Sequence, residues 1–121
     1  MWPEHLSPTQ AQGRAFEDAA LAYLLERGLV LVETNFRCKA GEIDLILRDG
    51  EFLVFVEVRQ RAPGSPVSAL ESIGPAKARR VVRAAQVYLQ SLPRVPPCRI
   101  DVVAIDGDTL LWLPNAIAES G

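Results

Sequence analysis

Histidine occurs once and cysteine twice in the 121 residues, which removes most transition-metal and nucleophilic chemistries at the outset. His5 stands near the start of the chain without a catalytic partner, and Cys38 and Cys98 lack the spacing of a zinc site or a redox pair. No apolar run reaches the roughly 20 residues needed to cross a bilayer, and the opening Met1-Trp2-Pro3-Glu4-His5 has neither the basic nor the apolar region of a signal peptide. The expected compartment is the cytoplasm, where no disulfide is expected. A Gly-rich phosphate loop is missing, as is Gly-x-Ser-x-Gly. Trp2 and Trp112 stand alone and read as packing groups rather than base-stacking platforms. The formal net charge of −2 argues against a protein that coats nucleic acid nonspecifically, but it leaves room for a local basic patch beside an acidic site.

What is present describes an ordinary globular chain: 49% hydrophobic and 23% charged residues, enough for one domain over residues 1–121 without staples. Residues 1–8 read as a leader. A helix capped at Ser7-Pro8 or Thr9 should run to Arg27 and stop at Gly28, with Phe16, Ala20, Tyr23, Leu24 and Arg27 on its buried stripe. A strand from Leu29 to about Arg37 turns at Cys38–Gly41 into a hairpin ending at Arg61. Ala62-Pro63-Gly64-Ser65-Pro66 cannot continue a ladder. Gly74-Pro75 opens a second helix that ends near Ser91, with Ala78, Val81, Val82, Ala85, Tyr88, Leu89 and Leu92 on its apolar face. Strands over Cys98–Ile105 and Thr109–Leu113 follow, and residues 114–121 read as a tail with one helical turn. The order α-β-β-β-α-β-β predicts a mixed sheet flanked by helices, with the fourth strand parallel to a neighbour.

The chemistry concentrates in the hairpin. A type I′ turn at Asp49-Gly50 places Arg48 opposite Glu51, Asp44 opposite Phe55 and Glu42 opposite Glu57. Glu42, Asp44 and Ile46 then share a face, as do Leu53, Phe55, Glu57 and Arg59. Phe52 to Val58 is apolar on both faces, the pattern of a covered central strand, where a carboxylate is unfavourable unless paired or metal-bound. Asp44 and Glu57 are near enough to bind one hard cation such as Mg²⁺, which takes carboxylates, waters and substrate phosphate without His or Cys. Glu17, at the edge of the first helix's stripe, would support that site or simply pair with a nearby Arg. Arg59 would hold a phosphate. The competing arrangement is a salt-bridged cluster in which Arg59 and Arg37 neutralise Asp44, Glu57 and Glu42. Arg79, Arg80 and Arg83, with Lys77 at the border, form either a solvated arc or a phosphate patch. Asp101 is expected in a local salt bridge with Arg99.

Gly13-x-x-x-Glu17, Asn35-Phe36-Arg37, Gly41-Glu42-Ile43-Asp44-Leu45-Ile46, Val54-Phe55-Val56-Glu57-Val58, Lys77 to Arg80, Tyr88-Leu89 and Asp101-Val102-Val103 together resemble the bacterial YraN family. These are small proteins classed with endonucleases and related to archaeal Holliday junction resolvases. The resemblance covers nearly all of Gly13 to Ile105. It implies a restriction-endonuclease-like core of the PD-(D/E)XK superfamily, αβββαβ, and a Mg²⁺- or Mn²⁺-dependent endonuclease acting on DNA, branched or otherwise structured. On that pattern Asp44 and Glu57 are metal ligands and Glu17 is the helix-borne acid. Arg37, Arg61, Lys77, Arg79, Arg80 and Arg83 would contact nucleic acid. A homodimer is also implied, with no small-molecule cofactor and no membrane. Arg59 departs from the family pattern, which has Lys there; Arg can hold a phosphate but is a poor general base. Lys77 is the candidate to supply the missing amine. The alternative on the same fold is a catalytically inactive nucleic-acid-binding or adaptor module.

Overall fold

One helix, carrying the chain from a strand to the next strand in the same direction, sets the topology. A computed structural model describes residues 8–64 and 67–117. The elements are α1 (Pro8–Glu26), β1 (Val30–Cys38), β2 (Gly41–Asp49), β3 (Phe52–Arg61), α2 (Pro75–Gln90), β4 (Cys98–Asp106) and β5 (Thr109–Ile117). They build a five-stranded sheet in the order β1-β2-β3-β4-β5. Neighbours are antiparallel except β3 and β4, which α2 joins in parallel register from Leu53↔Cys98 to Arg61↔Asp106. The mixed α/β architecture expected from the element order is present. No described helix is long and apolar enough to cross a membrane.

Strand alternation divides the core between the two sheet faces. On one face Ile46, Leu53, Phe55, Ile100 and Val102 pack against Val81, Ala84 and Ala85 of α2. On the other, Leu45, Leu47, Val54, Val56, Val103 and Ile105 pack against Ala20 and Leu24 of α1. The unbroken apolar run of β3 follows from this, since consecutive residues serve opposite helices. Tyr88 of α2 meets Phe36 and Phe55 edge-on, with ring centroids 5.1 and 5.9 Å away.

The helix ends follow their local chemistry. Gly28, at φ 92, donates to the Leu25 carbonyl while Leu29 reaches back to Leu24. That is the paired bonding of a Schellman cap, with Leu24 and Leu29 both in the α1-side core. Pro75 occupies the first turn of α2, after an extended Gly74.

Three expectations are corrected. The hairpin turns at Gly50-Glu51, with Asp49↔Phe52 as the last pair and Ile46, not Asp44, opposite Phe55. Gly50 has φ 60, and Glu51 is not among the positive-φ residues. The turn therefore has the glycine-first pattern of type II′ rather than the double left-handed requirement of type I′. Asp49 is held in the strand by Arg99, whose Nη2 donates to its carboxylate at 2.8 Å. Secondly, β5 runs past Pro114 to Ile117, where a helical turn was expected. Proline is tolerated on an edge strand, and the register shifts there between Ile100 and Val102. Thirdly, Ile43 joins Ile46 in the α2-side core, so simple alternation along β2 breaks around Asp44. The expected leader residues 1–7 and tail residues 118–121 lie outside the described residues.

Candidate functional site

The β2–β3 ladder ends at Leu45↔Val56, and the two strands then part. β2 continues against β1 through Phe36↔Ile43 and Arg37↔Glu42, while β3 continues against β4 to Arg61. In the fork between them stand the next residues of each strand, Asp44 and Glu57. In the corrected register each follows the last paired residue of its strand, Leu45 and Val56. The Val58 N–H donates to Asp44 Oδ2 at 2.8 Å. A side chain thus replaces the partner strand and ties the carboxylate to the fork. Across from Asp44, Asn35 on β1 sits at φ 54, a left-handed residue inside a strand and of the kind that concentrates at functional sites.

Glu57 is 2% exposed. Burial, and then the Asp44 charge, push its pKa up to about 8, against the pull of Lys77. Burial also raises Asp44, opposed by the Val58 N–H and by a hydrogen bond with Glu57. Burial of the site and the nearness of the two carboxyls thus both disfavour a second negative charge in the fork. Glu17 reaches the same end of the sheet from α1. Burial first, then Asp44 and Glu42, push it up to about 7. Arg14, on the same helix, opposes that rise, so Glu17 feels both the fork's carboxylates and a helix-borne cation.

Cations approach from the α2 side. Lys77 Nζ lies 3.3 Å from Glu57 Oε2 and Arg59 Nη1 lies 3.9 Å from it. Arg59 is held more firmly elsewhere: Nε donates to Ser72 Oγ at 3.0 Å and Nη2 to the Ser72 carbonyl at 3.4 Å. Ser72 was not legible in the sequence, because it lies on the β3–α2 connection, where no periodicity marks a direction. That connection is anchored in turn by the Ala69 N–H donating to Asp106 at 2.7 Å. Arg37 pairs with Glu42 at 3.2 Å and is largely exposed. Of the competing salt-bridge cluster, then, Arg37 neutralises Glu42, and Lys77 with Arg59 takes Glu57. Arg61 stands at the end of β3, its carbonyl accepting the Gly107 N–H. Arg79, Arg80 and Arg83 are exposed; Arg80 backs onto Gly41, where an added Cβ would meet it at 3.4 Å.

Oxygen donors are what a hard divalent cation requires, and Glu57 Oε1 is buried with no hydrogen-bond partner. Two adjacent acids, one with an orphaned oxygen, fit such an ion. Among the described residues no three His, Cys, Asp or Glu side chains converge into a complete ligand set, so water or substrate would fill the remaining positions.

Asp101 is a different kind of buried acid. Fully enclosed, it accepts from Arg99 Nε at 3.0 Å, Trp112 Nε1 at 2.9 Å and the Asn115 N–H at 2.8 Å. It is opposite Val56 in register, one residue from the Glu57 pairing, and packs toward α1. The expected Arg99 pairing is present, and the group is satisfied as a structural anchor.

Fold and site define an α/β protein with two carboxylates, half-buried Asp44 and buried Glu57, at a fork in its sheet. The model of the uncharacterised protein family UPF0102 matches residues 16–105. A UPF0102 protein of Janthinobacterium sp. (strain Marseille) is 52% identical over 95% of this chain and 96% of its own length. Relatives of the same description from Cupriavidus metallidurans and Cupriavidus taiwanensis are 57% and 58% identical, over 91% and 88% of this chain and 83% and 82% of theirs. The chain belongs to the UPF0102 family, the family whose motifs were read above as YraN.

Proposed function

We propose that this protein is a divalent-metal-dependent phosphodiesterase acting on nucleic acid, with the fork between β2 and β3 as its active site. The observation that carries the reading is the juxtaposition of half-buried Asp44 with buried Glu57, whose Oε1 is left unpartnered where β2 and β3 separate. Asp44 and Glu57 would hold the ion. When bound, Mg²⁺ or Mn²⁺ supplies Lewis acidity toward a phosphoryl oxygen and acidifies water. Glu17, raised to about 7, exchanges a proton near neutrality and serves as the acid or base beside that pair. Arg59, fixed by Ser72, holds a non-bridging phosphate oxygen; its own proton stays in place. Lys77 offsets charge at Glu57 and contributes the amine that Arg59 cannot. The restriction-endonuclease-like architecture, DNA as substrate (branched structures such as Holliday junctions included) and a homodimer belong to this proposal through the family resemblance. Arg79, Arg80 and Arg83, with Arg37 and Arg61, would follow the phosphate backbone. Incubating branched DNA with Mn²⁺ tests the reading: the wild type nicks it and Asp44→Ala does not. Equal cleavage by Asp44→Ala would remove the proposed site.

One observation favours a second reading. Glu57 is already ion-paired by Lys77 and Arg59, which suits a nucleic-acid-binding or adaptor module that keeps the fold without catalysis. It predicts DNA binding that neither needs metal nor weakens in Asp44→Ala.

A further inference from the structure

Beside the carboxylate pair lies a cavity of about 370 Å³ lined by Leu70, Ile73, Ala78, Val102, Ala116 and Ile117. Its walls belong to the segments that carry the site. Val102 is the register partner of Glu57, and Ala78 follows Lys77 on α2. Leu70 and Ile73 flank Ser72, the residue that holds Arg59. The last wall, Ala116-Ile117, ends β5, an edge strand of the sheet, and the outer backbone groups of an edge strand have no ladder partner. The slot is therefore apolar on its side chains and polar along one backbone margin, and two of its lining segments also carry Lys77 and Ser72, the residue that holds Arg59. Leu70, at its rim, is 43% exposed.

We propose that this cavity receives one unpaired nucleobase of the substrate while Arg59 and Lys77 engage a neighbouring phosphate. The inference rests on the phosphodiesterase reading and specifies its substrate class. A ligand with an anionic group next to a flat body matches a slot whose α2 and β3–α2 segments also carry Lys77 and the Ser72 anchor of Arg59, and a nucleotide has that combination. The volume lies at the lower end of the roughly 300–1,000 Å³ of small-molecule sites, which suits a single base. A base stacked in a duplex cannot enter such a slot; it must be unpaired or extruded, and extrusion is least unfavourable where pairing is already lost. Apolar walls grip the face of any base, so the discrimination is for unpaired nucleotides at a junction, bulge or end, not for sequence.

The test uses the full chain and a DNA duplex with one bulged 2-aminopurine, whose fluorescence rises when it leaves the stack, in Ca²⁺ to hold off cleavage. Wild-type protein should raise the emission several-fold and bind the bulged duplex several-fold more tightly than the fully paired one. Ala116→Phe, which fills the slot from the exposed edge strand, should lose both effects while keeping the wild-type thermal midpoint and Mn²⁺ binding. Ala116→Phe behaving as wild type toward the bulged duplex would overturn the proposal. So would a wild type that binds Mn²⁺ yet leaves the base stacked, and in that case the metal site still stands. Unstacking by a wild type that binds no Mn²⁺ would support the slot and remove the metal-dependent reading instead.

Discussion

Glu57 shows how one residue links stability to the proposed function. In the unfolded chain its carboxyl has an ordinary pKa near 4.5, and in the folded protein burial moves it to about 8. The folded state thus keeps the proton over a range in which the unfolded state releases it. The associated stability is fully present below about pH 4.5 and is lost as pH rises through the folded value. In metal-free solution the thermal midpoint should therefore fall as pH rises through neutrality to about 8. Glu57→Gln, which keeps the neutral shape, should flatten the decline, and at about 1.4 kcal/mol per pKa unit the effect is of the order of a few kcal/mol. Calorimetric melts across that range check it; parallel slopes for the two proteins would show that Glu57 is not the titrating group. The nearness of Asp44 and Glu57 was legible in the sequence, because a carboxylate in an otherwise apolar central strand is conspicuous. Ser72 was not, since its role depends on where an irregular connection returns to the sheet.

At the scale of elements, hydrophobic periodicity located both helices and all five strands, because each element buries a face with its own repeat. Boundaries that depend on backbone conformation were less legible. Asp-Gly fits a type I′ turn on propensity, yet the chain turns one residue later, with Gly50 as the first central residue and Asp49 drawn into the strand by Arg99. The shift moves the register by two, so partners change, and Asp44 and Glu57 become the first residues past the last β2–β3 pair. Pro114 likewise suggested a strand end, but an edge strand can carry it, and the Asn115 N–H bond to Asp101 continues the path. Since Gly50 sits at φ 60 in open space, Gly50→Ala meets no clash and is opposed only by the left-handed backbone. It should lower unfolding stability by about 1 kcal/mol, read as a smaller urea midpoint at constant slope. No change would mean that the turn adopts another conformation.

For the whole molecule, two helices clamp opposite faces of the sheet and meet its open fork at one end, one bringing an acid and the other a base. This arrangement puts a near-neutral protein with a net charge of −2 in a position to engage a polyanion through a local surface only. DNA binding should weaken with salt. Replacing Arg79, Arg80 and Arg83 together by Gln should reduce the slope of log K against log salt by up to about 0.9 for each duplex phosphate contact removed. An unchanged slope would make that arc a solvated face. The central claim, that the fork is a divalent-metal site, is tested most directly by calorimetric titration of Mn²⁺ into the wild type and the Asp44→Ala, Glu57→Ala double variant at pH 7. The wild type should bind, with a heat that varies with the buffer because the ion displaces protons from carboxyls whose pKa burial has raised, and the double variant should give no heat. Absence of binding by the wild type, or equal binding by the double variant, would contradict the account.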